Sequence, residues 1–274
     1  MSTILSHQQF YTEGPVHDTE GTLYFTNLKG GQIIRRDRNG YESVWARTAC
    51  PNGQRITPNG DHLVCDSQLG AVIRFDAEGR WVAVAAEGNC QNIRIRTPND
   101  LALDGEGGFF FTDSVRHCGA VYHYPKHGRG VVVARDLDYP NGICLSADKR
   151  RLFVAESYRN RILVFDLNEQ GSFCSKGAVF CELPEHPENK LTGNLPDGIT
   201  LDSKGQLWVA HYGMQAVHRI DANGNLLESF DTGIPLTSNL SFNSDETELV
   251  VTGGTTESGP GFVATLNMSK QLTQ

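Results

Sequence analysis

The sequence predicts an all-β fold, a six-bladed β-propeller formed by residues 1–274 as a single domain, and three observations lead there. A short strand pattern ending in a polar residue recurs six times. A turn rich in Gly, Asp, Asn and Ser precedes each copy. A second strand unit follows, and its closing glycines at 40, 79, 128, 171 and 224 are 39, 49, 43 and 53 residues apart. That spacing lies near the ~40–50-residue period of propeller blades and far from the ~20–35 residues of leucine-rich, ankyrin or tetratricopeptide repeats.

The first unit reads GTLYFTN at 21–27, GDHLVCD at 60–66, GGFFFTD at 107–113, RRLFVAES at 150–157, GQLWVAHY at 205–212 and ETELVVTG at 246–253. β-Branched and aromatic residues alternate or run together in it, the pattern of a half-buried or buried strand. The second unit is QIIRRDRNG at 32–40, AVIRFDAEG at 71–79, AVYHYPKHG at 120–128, RILVFDLNEQG at 161–171, AVHRIDANG at 216–224 and a weaker GFVATLNM at 261–268. An outer strand follows five of them: YESVWA at 41–46, WVAVAA at 81–86, VVVARDL at 131–137, GAVFCEL at 177–183 and LLESFDT at 226–232. The sixth lacks such a partner, and ILSHQQF at 4–10 is the spare strand that would close the ring and remove its unpaired edge.

A third element opens each repeat: TEGPV at 12–16, CPNGQ at 50–54, TPNDL at 97–101, YPNGI at 139–143, LPDGI at 195–199 and TSNLS at 237–241. Its polar residues are Glu13, Asn52, Asn99, Asn141, Asp197 and Asn239, one per repeat. Innermost propeller strands surround a channel, so these six positions are expected to face one another across it. Asn-Gly and Asp-Gly also suit turns, but packing alone would favour Val or Leu. Two carboxylates and four carboxamides form an all-oxygen set suited to a hard divalent cation. Ca²⁺ is the first expectation, with Mg²⁺, Mn²⁺, Zn²⁺ or Fe²⁺ as alternatives.

Composition excludes other classes. A net charge of −8 with both signs interspersed argues against a nucleic-acid partner or a polybasic membrane patch. No run of 18 apolar residues suggests a membrane span, and MSTILSHQQF lacks the basic and apolar regions of a secretory signal. Seven scattered cysteines without a CxxC pair suggest reduced core residues of a cytoplasmic protein, a monomer or weak homo-oligomer. No GxSxG elbow is present, and GEGG at 105–108 sits in a strand turn rather than before a helix. His117, His123 and His127 are expected in exposed loops.

The motifs EGP at 13–15, PND at 98–100, FTD at 111–113, PNGI at 140–143 and PDGITLD at 196–202 are similar to those of the SMP-30/gluconolactonase/luciferin-regenerating-enzyme family of six-bladed propellers. The resemblance covers nearly the whole chain. It implies metal ligation by Glu13, Asn141 and Asp197, with Asn99 beside the metal, and hydrolysis of a lactone or a related ester or phosphotriester. One departure stands out: sugar-lactone members often carry Arg two positions before the PND Asn, where this chain has Thr97. Asp197 is the first choice for general base, because a ligand carboxylate can take a proton from water. His211, at the end of the strand paired with the one Asp197 opens, is the second. Thr97, Asn99, Asn52, Asp113, Tyr212 and Asn239 are candidates for substrate contact, flanked by mouth loops at 87–97 and 184–195.

Overall fold

The computed structural model describes residues 2–167, 177–186 and 193–269. The remaining residues, which include Cys174 and parts of the segments at 161–171 and 184–195, lie outside the described residues. The architecture is all-β and propeller-like: among the described residues the only helical element is the 3₁₀ turn Ser157–Arg159. Among the described residues no helix is long and apolar enough to cross a membrane.

Four sheets are four-stranded antiparallel meanders. The first runs Thr12–His17, Leu23–Asn27, Gln32–Arg36 and Glu42–Arg47. The next three begin with Pro51–Ile56, Pro98–Leu103 and Pro140–Leu145. Each ends on the expected outer strand, Trp81–Glu87 in the second sheet and Ala178–Glu182 in the fourth. An eight-stranded sheet holds the rest, its halves beginning with Leu195–Leu201 and Leu236–Phe242 and joined by one pair, Tyr212 with Leu236. The N-terminal strand is Ser2–Gln8, slightly earlier than its expected limits, and it pairs antiparallel with Gly261–Asn267. The 87–97 segment is not all loop, since Asn89–Cys90 and Ile93–Arg94 form a short hairpin.

The core lies between facing sheets. Leu63, Cys65 and Val72 pack against Leu101, Phe111 and Tyr122. Phe110 and Val121 pack against Ile143, Leu152 and Phe165. The first sheet meets the last, where Leu23, Phe25 and Ile34 pack on Val250 and Val263. Phe25 and Phe111 are fully buried, and truncating such a ring to Ala costs about 3–5 kcal/mol. Cys65, Cys90, Cys144 and Cys181 are buried free thiols, whereas Cys118 is exposed. His123 departs from its loop expectation: it lies on the strand Gly119–Tyr124, stacks on Phe110, and bonds Asp104 through Nε2 at 3.0 Å.

The six first strands touch their neighbours in chain order, and Leu236–Phe242 returns to touch Thr12–His17. Each carries a bulge where two residues oppose one on the next strand. The bulge breaks strict alternation and re-aims side chains. Asn52, Asn99, Asn141 and Asp197 lie inside it, and Glu13 sits at its start.

Candidate functional site

Glu13, Asn52, Asn99, Asn141 and Asp197 converge on one cavity of about 220 Å³. All five are buried, each less than 9% exposed. They form its deep end. Tyr11, Tyr139, Tyr158 and Tyr212 line its sides, and the charged residues Lys29 and Glu257, both exposed, lie at the opening.

The deep end is tightly built. Glu13 Oε2 accepts bonds from its neighbour Gly14 N at 2.8 Å and from Asn239 Nδ2 at 2.9 Å. Beneath lies Asp100, fully buried, its Oδ1 bonded by Leu101 N at 2.8 Å and 3.5 Å from the Arg55 guanidinium. Glycines leave room for this layer. A Cβ on Gly53 would collide with Asp100, and one on Gly198 with Asn239.

Burial raises the Glu13 carboxyl from its ordinary range to about 7. Burial also raises Asp197, and the Glu13 charge pushes it further. The Oδ1 atoms of Asn52 and Asn141 are buried without a hydrogen-bond partner. Unpaired carbonyl oxygens beside two reluctant carboxylates are what a hard cation would satisfy, so the donor chemistry fits a divalent ion. Among the described residues no three His, Cys, Asp or Glu side chains cluster at metal-binding distance. Amide oxygens would have to complete the coordination.

Tyr212 joins these residues at the cavity wall; four other candidates do not line it. Register pairs Leu236 with Gly254 and Leu195 with Tyr212, which makes Ser238, not Asn239, the counterpart of Asp197. Asn239 falls one residue later and turns under the cavity to hold Glu13. Asp113 accepts bonds from Arg96 N and Thr97 N, so it fastens the backbone that leads into Pro98–Leu103. Asp66 does the same for Ala49 and Cys50, and Glu156 for Asp138. Thr97 is held there, outside the cavity lining.

His211 is fully buried and pairs in register with Pro196. Its Nδ1 lies 2.9 Å from His218 Nε2, and His218 Nδ1 lies 2.8 Å from Ser229 Oγ. Burial, then the neighbouring His218, drives His211 down to about 3. Successive strand residues face opposite sides; Tyr212 takes the cavity and His211 the core.

Sequence reasoning missed Tyr11, Cys50, Tyr139 and Leu195. The repeat did carry a signal for them, because each stands two residues before the polar residue of its repeat, as Thr97 does.

An all-β propeller-like chain with a buried, oxygen-lined cavity at the meeting of its first strands is the class that fold and site define. Residues 11–255 match the sequence model of the SMP-30/Gluconolactonase/LRE-like region. The chain belongs to that family. It is 28% identical over 202 residues to a gluconolactonase of Zymomonas mobilis, covering 68% of this chain and 56% of that protein. It is 31% identical over 237 residues to lactonase drp35 of Staphylococcus saprophyticus, covering 81% and 69%. The fold superposes on XC5397 of Xanthomonas campestris, described as a gluconolactonase, with a TM-score of 0.82 and 26% identity over 96% of this chain and 88% of that one. The chain thus spans little more than half of the Zymomonas relative.

Proposed function

We propose that this protein is a divalent-metal-dependent lactonase, built as one six-bladed domain whose N-terminal strand completes the last blade. The closed succession of first strands and the pairing of Ser2–Gln8 with Gly261–Asn267 support the architecture. The observation that carries the activity is the convergence of Glu13 and Asp197 with Asn52, Asn99 and Asn141 on one buried cavity. The gluconolactonase and lactonase relatives give the reaction class.

Glu13, Asn141 and Asp197 would hold the ion, most simply Ca²⁺, and Asn99 and Asn52 share the cavity with them. When bound, the ion supplies polarisation of the lactone carbonyl and neutralises the two carboxylates. Asp197 accepts the proton of the attacking water on a carboxylate oxygen, and its burial, followed by the Glu13 charge, makes it more basic than an exposed carboxylate. The displaced ring alkoxide takes up that proton from Asp197, so water adds across the ester C–O bond and a hydroxy acid leaves. Asn239 and Gly14 N keep the Glu13 carboxylate oriented. His211, on the strand paired with the one that carries Asp197, supports that strand rather than reacting.

A panel of γ- and δ-lactones, followed with a pH indicator before and after chelation, tests this. Turnover lost to chelator and restored by a divalent ion is expected. Metal binding with no turnover on any lactone, ester or phosphotriester would make the cavity a non-catalytic binding site.

A further inference from the structure

Four tyrosines surround a polar cavity in this chain, and their arrangement says which substituents a substrate would carry. Tyr139 has φ +65, a left-handed conformation that costs a bulky non-glycine residue strain. The strain is held by backbone bonds on both sides, from Tyr139 N to Val115 O at 3.1 Å and from Ser157 N to Tyr139 O at 3.1 Å. Held in that way, the ring joins the cavity wall and meets Tyr158 edge-to-face, centroids 5.5 Å apart. The Arg116 guanidinium lies 3.5 Å over the Tyr158 ring, and Asp138 fixes Arg116 at 2.7 Å. The two rings are thus braced from behind by an ion pair. Across the cavity, Tyr11 donates its hydroxyl to Leu236 O at 3.0 Å and Tyr212 donates its own to Glu257 Oε1 at 3.2 Å.

We infer that this wall selects lactones whose ring carries a flat or apolar substituent over polyhydroxylated sugar lactones, a reading that rests on the lactonase activity proposed above. In four repeats the position two residues before the polar residue faces the cavity, as Tyr11, Cys50, Tyr139 and Leu195, none of them charged at neutral pH. Among the described residues no arginine lines the cavity. Arg96, next to Thr97, instead turns toward Cys118, Nη1 to Sγ 3.6 Å. Away from the polar deep end, substituent hydroxyls set against the tyrosine ring faces would be left without partners there, a cost that an aromatic or alkyl group avoids while stacking on the rings.

Three δ-lactones separate the alternatives on the metal-loaded protein: δ-valerolactone, δ-phenyl-δ-valerolactone and glucono-δ-lactone. The expected kcat/KM for the phenyl compound exceeds that for gluconolactone by about ten-fold or more. Tyr158→Ala and Arg116→Gln should each raise KM for the phenyl compound at least about five-fold more than KM for δ-valerolactone, whereas Tyr139→Phe, which keeps its ring, should retain the phenyl preference. Preference for gluconolactone, or equal losses on all three compounds, would overturn the inference. If no lactone opens, the lactonase reading fails separately. Binding of the phenyl lactone, read by protein fluorescence, then decides: saturable binding weakened by Tyr158→Ala sustains the wall, and its absence refutes it.

Discussion

Replacing Glu13 by Gln removes one of two buried carboxylates while keeping shape. Both bonds that Glu13 accepts, from Gly14 N and Asn239 Nδ2, end on Oε2, so the single amide oxygen of Gln can accept both. In metal-free protein the folded state raises this carboxyl to about 7, mainly by burial. Between its unfolded value and 7 the folded state therefore binds the extra proton. The stability that this proton confers is present below about pH 4.5 and lost as pH rises through 7. At pH 8 the ionised group costs the fold ~3 kcal/mol. At ~2 °C per kcal/mol for a chain of this size, Glu13→Gln should melt ~6 °C above wild type. At pH 4 the difference should vanish. Thermal unfolding in chelator at the two pH values measures this, and adding a divalent ion at pH 8 should reverse the order. A variant no more stable than wild type at pH 8 in chelator would refute the reasoning.

Deleting residues 1–8 removes the strand paired with Gly261–Asn267; a marked fall in melting temperature and edge-driven aggregation are expected, and an unchanged melting curve would contradict the closure. His211→Ala should leave turnover within ten-fold of wild type at saturating metal, well short of the ~10²–10⁴ of a lost general base, yet cost ~1–3 kcal/mol by emptying a buried, hydrogen-bonded site. The His211 and His218 rings are held neutral by burial, so their own contribution to stability should fall as pH drops below 6.5, opposite in sign to that of Glu13, the unfolded state taking up protons that the fold refuses; the urea-titration slope of His211→Ala set against wild type across pH 4–7 isolates it. Gly198→Ala should destabilise strongly, because the added Cβ meets Asn239; a normal urea midpoint would show that the layer under the cavity can yield.

Much of this was legible because a repeat fold writes its architecture several times over. The strand units and their turns fall where the pattern put them, and the five polar residues that share the cavity were marked by their spacing. Spacing alone failed at Asn239. TSNLS lacks the proline of the other motifs, and only the bulge register reveals that Ser238 takes the equivalent place. His211 was misjudged because a hairpin brings strand ends together without saying which face each side chain takes; Pro196 pairs with His211, but the cavity receives Tyr212. Asp113 and Thr97 read as mouth residues, and the structure spends both on fastening the chain that leads into the next strand. The tyrosine wall was hidden for another reason. Tyr158 sits in a 3₁₀ turn and Tyr139 depends on a strained backbone, neither of which the strand pattern encodes.

The central claim is that the buried carboxylates work on an ion and a lactone together, with Asp197 serving both. Its most direct test is the ring-opening rate of Asp197→Asn at saturating divalent metal, with occupancy established by calorimetry on the same sample. The account predicts weakened but measurable metal binding and a rate at least a hundred-fold below wild type across pH, on the order of a lost general base. Near-wild-type turnover by the metal-saturated variant would contradict it.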